Sequence, residues 1–123
     1  MTVSELEGLL LTHVIDVRFA RENLLPGRSS TRRMLCTKSY DLLNSTNGRI
    51  VLNYRPPKGN KKYSEPKTGT LVVWDILMQD YRKFSATTAV VINKYPADDE
   101  FWKYFKENIY PLTAEQKIAF MDS

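Results

Sequence analysis

The spacing of hydrophobic residues predicts a β-rich body in the middle of the chain. Residues 13–20 place Ile15, Val17 and Phe19 on one face and Asp16 on the other, an alternation typical of a half-buried strand. Further short β-rich or alternating segments predict strands at residues 32–37, 71–76, 81–85 and 89–95, and residues 49–54 are an additional candidate. Turn-forming residues separate these segments, so we expect antiparallel neighbours.

Helical signals lie at both ends of this body. Two overlapping capping boxes, at residues 2–5 and 4–7, precede a run of leucines and predict a short first helix. After Pro96 the apolar residues fall three and four positions apart, which is the spacing of a helix that begins at Asp98 or Asp99. Its apolar stripe consists of Phe101, Trp102, Phe105 and Ile109. Pro111 ends that helix, and a capping box at residues 113–116 opens another.

Together these elements predict one α+β domain over residues 1–123, long enough to bury its own core. We expect a small antiparallel β-barrel, or a strongly bent sheet, of about five strands at residues 14–95, with a helix in front and one or two helices behind at residues 97–121. Residues 40–43 predict a helical turn, and Asn47-Gly48 predicts a tight turn. Residues 44–68 form an inserted loop in this scheme, exposed and basic over its second half.

The hairpin at residues 70–85 is the clearest single signal in the chain. Its first strand ends at the polar pair Gln79-Asp80, and its second strand combines aromatic and basic residues. We expect the aromatic side chains to face the core, and Arg82 and Lys83 to face outward. Two interpretations of these two residues remain open, because a basic strand either extends a binding surface or only keeps an exposed strand from aggregating.

The net charge of +4 is unevenly distributed. Residues 18–38 and residues 49–67 each carry six basic residues against one acidic residue, whereas the remaining segments are acidic. Such asymmetry indicates an anionic partner that approaches one part of the molecule. The alternative is an ordinary solvated surface.

The sequence gives little support for an enzyme or for a metal-binding protein. Cys36 is the only cysteine and His13 the only histidine, too few for a structural zinc site, and no complete catalytic constellation or cofactor motif is present. Cys36 in a strand is expected to be a buried, inert thiol, and Asp75 and Asp80 are expected to have turn and strand-end roles. No apolar run predicts a membrane span or a secretory signal, so we expect a cytoplasmic protein.

Three segments, taken in order, resemble a known family. Residues 32–37 read Arg-Arg-Met-Leu-Cys-Thr, residues 72–76 read Val-Val-Trp-Asp-Ile, and residues 81–85 read Tyr-Arg-Lys-Phe-Ser. This set resembles the phage-encoded domains with an Sm-like, SH3-type β-barrel fold that are related to WYL domains. The resemblance implies such a barrel, a phage protein acting in an infected bacterium, and nucleotide or nucleic-acid ligands. The WYL triplet itself is absent, and Trp74-Asp75-Ile76 is its nearest counterpart.

Two functions of different classes follow. The first is a non-enzymatic phage accessory protein that binds DNA or RNA mainly through phosphate contacts. Its expected contact residues are the basic side chains of the loops and the hairpin: Arg28, Arg32, Arg33, Lys38, Arg55, Lys58, Lys61, Lys62, Arg82 and Lys83. Tyr54 and Tyr63 flank the second basic segment, where a base could stack. The alternative is a phage factor that modulates a host bacterial protein of transcription, replication or defence, through a sheet edge or the aromatic helix.

Overall fold

The protein is described by a computed structural model over residues 1–24, 26–57 and 69–123. Its helices are α1 (Val3–Leu10), α2 (Tyr40–Asn44), α3 (Thr46–Val51), α4 (Asp99–Tyr104), which continues as a π-helical turn (Phe105–Ile109), and α5 (Ala114–Met121). Its strands are β1 (His13–Ala20), β2 (Thr31–Thr37), β3 (Thr70–Asp75), β4 (Asp80–Ser85) and β5 (Val90–Pro96). None of the described helices is long and apolar enough to cross a membrane.

The five strands form one antiparallel sheet in the order β4-β3-β2-β1-β5. The α+β class, the five strands and the helices at both ends are therefore confirmed. Within the described ranges the outer strands β4 and β5 do not pair with each other, so the sheet is open. The second half of the predicted inserted loop, residues 58–68, lies outside the described residues.

The open sheet is strongly curled. Strand β3 pairs with only the end of β2, at Cys36 and Thr37, and a bulge interrupts the pairing of β1 with β5 after Asp16. Although two strands separate β1 from β4 in the sheet, the rings of Phe19 and Phe84 lie 5.0 Å apart. The curl therefore leaves a seam, defined here as the gap between the end of β1 and strand β4.

Each face of the sheet has its own hydrophobic core. Helix α1 covers the concave face with Leu6 and Leu10, and its N-terminus is fixed by the predicted Thr2–Glu5 capping box. The other face is covered by α2, α3 and α4, and its core includes Trp74 and the buried part of the aromatic stripe, Phe101, Phe105 and Ile109. Trp102, in contrast, is only half-buried at the edge of this second core.

The strand predicted at residues 49–54 is wrong, because α3 occupies the first half of that segment and residues 52–54 form no strand. The Ser45 side chain accepts a hydrogen bond from the backbone N–H of Gly48 and caps the helix. Gly48 also lets α3 approach α2, since a Cβ at this position would collide with the carbonyl oxygens of Leu42 and Leu43. The Asn47-Gly48 pair therefore serves close helix packing here and forms no hairpin turn.

The turn between β3 and β4 is fixed by a buried carboxylate. Asp75 is 1% exposed, and its Oδ1 accepts hydrogen bonds from the backbone N–H groups of Leu77 and Met78. Its Oδ2 accepts a 2.5 Å hydrogen bond from Nη2 of Arg32, at the start of β2. This agrees with the predicted turn role of Asp75, and it connects the turn to a strand 43 residues earlier.

We predict that Gly48→Ala destabilises the protein by about 1–3 kcal/mol, because α3 would have to move away from α2. Gly8→Ala is the matched control. Gly8 is exposed within α1 and has nothing near its missing Cβ, so alanine there should stabilise by about 0.5–1 kcal/mol. Urea unfolding followed by circular dichroism measures both changes. Equal effects of the two substitutions would contradict the packing of α3 on α2.

A second prediction concerns the buried ion pair. Asp75→Asn keeps an acceptor for the turn but leaves the charge of Arg32 without its partner, and we expect a loss of about 3 kcal/mol in the free energy of unfolding. Asp80→Asn, at the exposed end of the same hairpin, should change it by less than about 1 kcal/mol. Urea unfolding of both variants provides the measurement. A small effect at Asp75 would show that the pair does not hold the hairpin.

Candidate anion-binding cleft

A cleft of about 210 Å³ lies along the seam. Its walls come from the end of β1, the loop that follows it, the start of β2, and β4. Four basic residues line it, Arg21, Arg32, Arg82 and Lys83, and Glu22 is the one carboxylate among the lining residues. We call this feature the arginine cleft.

The three arginines of the cleft share an unusual feature. In the described part of the chain, three buried side-chain nitrogen or oxygen atoms lack a hydrogen-bond partner, and these are the Nε atoms of Arg21, Arg32 and Arg82. Buried donors in folded proteins are nearly always paired, so three unpaired donors around one cleft require an explanation. Guanidinium groups in this arrangement suit an anion such as phosphate.

The pKa of Arg32 also indicates that positive charge is concentrated in the cleft. Burial lowers the pKa of Arg32, and the positive charges of Arg82 and Arg21 lower it further, whereas Asp75 raises it. An arginine remains charged despite such a shift, so the three cations repel one another in a partly desolvated space. An anion entering the cleft would reduce that repulsion.

Arg82 and Lys83 point to opposite faces of β4. Arg82 lies opposite Val73 and shares the face of Phe84, so it is half-buried rather than outward-facing as predicted. Lys83 is exposed at the rim. Among the described residues neither has a carboxylate partner, which sets them apart from Arg21 and Arg32.

Three other predicted contact residues are engaged within the protein. Arg33 binds both carboxylate oxygens of the fully buried Asp16, at 2.9 and 2.6 Å, and its guanidinium lies 4.2 Å from the ring centre of Phe120. Lys38 forms an ion pair with Glu7 of α1 at 2.8 Å. Arg28 binds Asp122. None of these three residues is among those that line the arginine cleft.

The second basic segment is described only at its beginning. Arg55 is exposed, and its guanidinium lies 5.5 Å from the ring centre of Trp74 and 3.4 Å from the Asp80 carboxylate. Tyr54 is buried against Trp74, so it does not offer the exposed ring that a stacked base needs. The remaining residues named for this segment, Lys58, Lys61, Lys62 and Tyr63, lie outside the described residues.

Arg21 was not among the contact residues expected from the sequence. It follows the last residue of β1 and precedes the loop, so alternation along a strand gave no indication of its direction. Its backbone N–H donates to the carbonyl of Ser30, which holds it beside the start of β2. Its position next to the alternating run, within the most basic segment, was the available signal.

Cys36, His13, Asp75 and Asp80, the residues with side chains common in catalysis that were named from the sequence, are each occupied otherwise in the structure. Cys36 is fully buried and burial raises the pKa of its thiol well above the usual range, so the thiol stays protonated. His13 Nδ1 instead lies 2.8 Å from the hydroxyl of Thr12. Asp75 and Asp80 face each other across the hairpin, but Asp75 is fully used by the turn and Arg32. Among the described residues no group of histidine, cysteine or carboxylate side chains could hold a metal ion.

The chain was compared with family models, curated proteins and solved structures. No family model, no curated protein and no solved structure matches the chain.

Proposed function

We propose that this protein is a non-enzymatic nucleic-acid-binding protein that holds backbone phosphates in the arginine cleft. The observation that carries the proposal is the convergence of Arg21, Arg32 and Arg82, each with an unpaired buried Nε, on one cleft. A phosphate in the cleft would bring several acceptor oxygens and negative charge to this group of partly buried cations.

The surroundings of the cleft favour phosphate over base recognition. Its aromatic residues, Phe19 and Phe84, are buried and pack on each other, so they offer no face for a stacked base. Helix α1, which packs on the same core as Phe19 and Phe84, carries Glu5 and Glu7 and would be a poor recognition helix. The proposed binding is therefore largely independent of the nucleotide sequence.

The biological setting is part of the same proposal. The curl that brings β1 towards β4 supports the SH3-type, Sm-like barrel implied by the family resemblance. With it we propose a phage protein related to WYL domains, acting in the cytoplasm of an infected bacterium. Arg55, Lys58, Lys61 and Lys62 are proposed as further phosphate contacts from the sequence alone, and the last three lie outside the described residues.

The test uses fluorescence anisotropy with labelled single-stranded and double-stranded oligonucleotides of DNA and RNA. We expect salt-sensitive binding to at least one of them. Arg82→Gln should weaken it about tenfold at low salt, since a charge-assisted hydrogen bond contributes about 1.5–3 kcal/mol. It should also lower the slope of log affinity against log salt by about one.

Two variants control for charge. Lys83→Gln removes a cation at the rim of the cleft. Lys94→Gln removes an exposed cation from β5, which is the edge strand opposite to β4 in the strand order. We expect Lys83→Gln to weaken binding and Lys94→Gln to leave it nearly unchanged. Equal losses in both would assign the binding to overall charge, and absence of salt-sensitive binding by the unaltered protein would refute the proposal.

A second candidate function, binding to a host bacterial protein, has one observation in its favour. An apolar groove of about 310 Å³ lies between α3 and α4 and is lined by Asn47, Val51, Trp102, Phe105, Lys106 and Tyr110. Tyr110 is 74% exposed, an unusual position for an aromatic ring that serves only the core. A partner that inserts apolar side chains would bury this surface.

The two functions are separated by a pull-down from nuclease-treated bacterial lysate. If the groove is the interface, a partner captured by the unaltered protein should be lost with Tyr110→Glu and retained with Tyr40→Glu. Tyr40 is the matched control because it is an exposed tyrosine at the start of α2. A partner retained by both variants, or lost with Arg82→Gln, would exclude the groove as its binding site.

A further inference from the structure

The C-terminal residues of the chain lie among arginines from the same basic region as the cleft. Asp122 Oδ1 accepts hydrogen bonds from Arg21 Nη2 at 2.7 Å and Arg28 Nε at 3.1 Å, and Oδ2 accepts from Arg28 Nε at 2.9 Å. The carbonyl of Ser123 accepts from Arg18. Hydrogen bonding to Arg28 lowers the pKa of Asp122, in keeping with a carboxylate that stays charged.

Arg21 belongs to both arrangements. Its Nη2 binds Asp122, while its buried Nε has no acceptor and its side chain lines the arginine cleft. Arg32, the most buried cation of the cleft, donates through Nη2 to the Sδ of Met121 at 3.5 Å. The cleft and the Asp122 contacts are therefore adjacent, and α5 touches both.

We propose that Arg21 and Arg28 form a second phosphate subsite, which the Asp122 carboxylate occupies in the free protein and a nucleic-acid phosphate takes over on binding. This inference rests on the proposed function. The carboxylate stands in for a phosphate, since both are anions that accept hydrogen bonds from guanidinium donors. A nucleic-acid strand that places one phosphate in the cleft and the next phosphate at this subsite would have to displace Asp122.

The attachment of α5 is suited to such an exchange. Met121 is the one residue of this eight-residue helix that is buried, and Ile118 is 49% exposed. Phe120 is half-buried, and it packs against the edge of the second core and on the guanidinium of Arg33. A helix held by so little buried apolar surface opens at low free energy, so exchange of its anion for a ligand's is feasible.

Asp122→Asn tests the inference, because it weakens the internal competitor without removing either arginine. We expect oligonucleotide affinity to rise about three- to tenfold, as the fraction of protein with a vacant subsite increases. Glu115→Gln is the matched control. It removes the same charge from the exposed surface of α5, where Glu115 makes no ion pair with any described residue, and it should change affinity far less.

Arg28→Gln then distinguishes a phosphate subsite from simple loosening of α5. If freed Arg28 binds phosphate, the gain from Asp122→Asn should disappear in the double variant. If α5 only shields the cleft, the double variant should keep the gain, and the subsite is disproved. Hydrogen exchange should show residues 114–121 losing protection when oligonucleotide is added to the unaltered protein.

The outcomes separate this inference from the function on which it rests. Salt-sensitive binding that depends on Arg82 but is equal in Asp122→Asn and Glu115→Gln overturns the second subsite and leaves the proposed function standing. Unchanged protection of α5 on binding also overturns the subsite. Absence of oligonucleotide binding in every variant overturns both.

Discussion

The buried ion pair between Arg32 and Asp75 is the constraint on which the hairpin and the cleft both depend. Either charge alone would be costly to bury, since the penalty for an unpaired buried ion exceeds what the surrounding contacts supply. Paired at 2.5 Å, they join the start of β2 to the turn between β3 and β4, in a region where β2 and β3 share few backbone hydrogen bonds. The pair thus holds the curled sheet together and places a guanidinium in the seam. At Arg32, therefore, the charge of the cleft cannot be removed without a loss of stability.

Some basic residues form ion pairs that stabilise the fold, and others have no carboxylate partner among the described residues. Arg33 is committed to Asp16, and Lys38 connects β2 to α1 through Glu7. Arg82 and Lys83 have no carboxylate partner among the described residues, so their charge is available to a ligand. A count of charges along the sequence therefore exaggerates the binding capacity of residues 18–38. The smaller set around the seam is the more specific candidate.

Local patterns predicted the strands and most helices because their causes are local. Alternation identified β1, β2 and the hairpin, and capping boxes identified α1 and α5. Residues 49–54 were misassigned because their branched residues favour a strand, whereas the cap at Ser45 and the packing of Gly48 impose a helix. The cleft was only partly predictable. Its ion pairs join residues 43 and 101 positions apart, and periodicity carries no information about such partners.

The seam explains why the unpaired donors gather at one place. Closing the curled sheet would require backbone pairing between the end of β1 and β4, and a cleft lined by arginine side chains lies there instead. Carboxylates bind two of these arginines, yet each of the three keeps an unpaired buried Nε. This departs from the rule that buried polar groups have hydrogen-bond partners. Departures from that rule concentrate at functional sites, where a ligand completes what the fold leaves open. The Asp122 carboxylate accepts a hydrogen bond from Arg21 outside the cleft. This is consistent with a site in which a bound anion would accept hydrogen bonds from within the cleft.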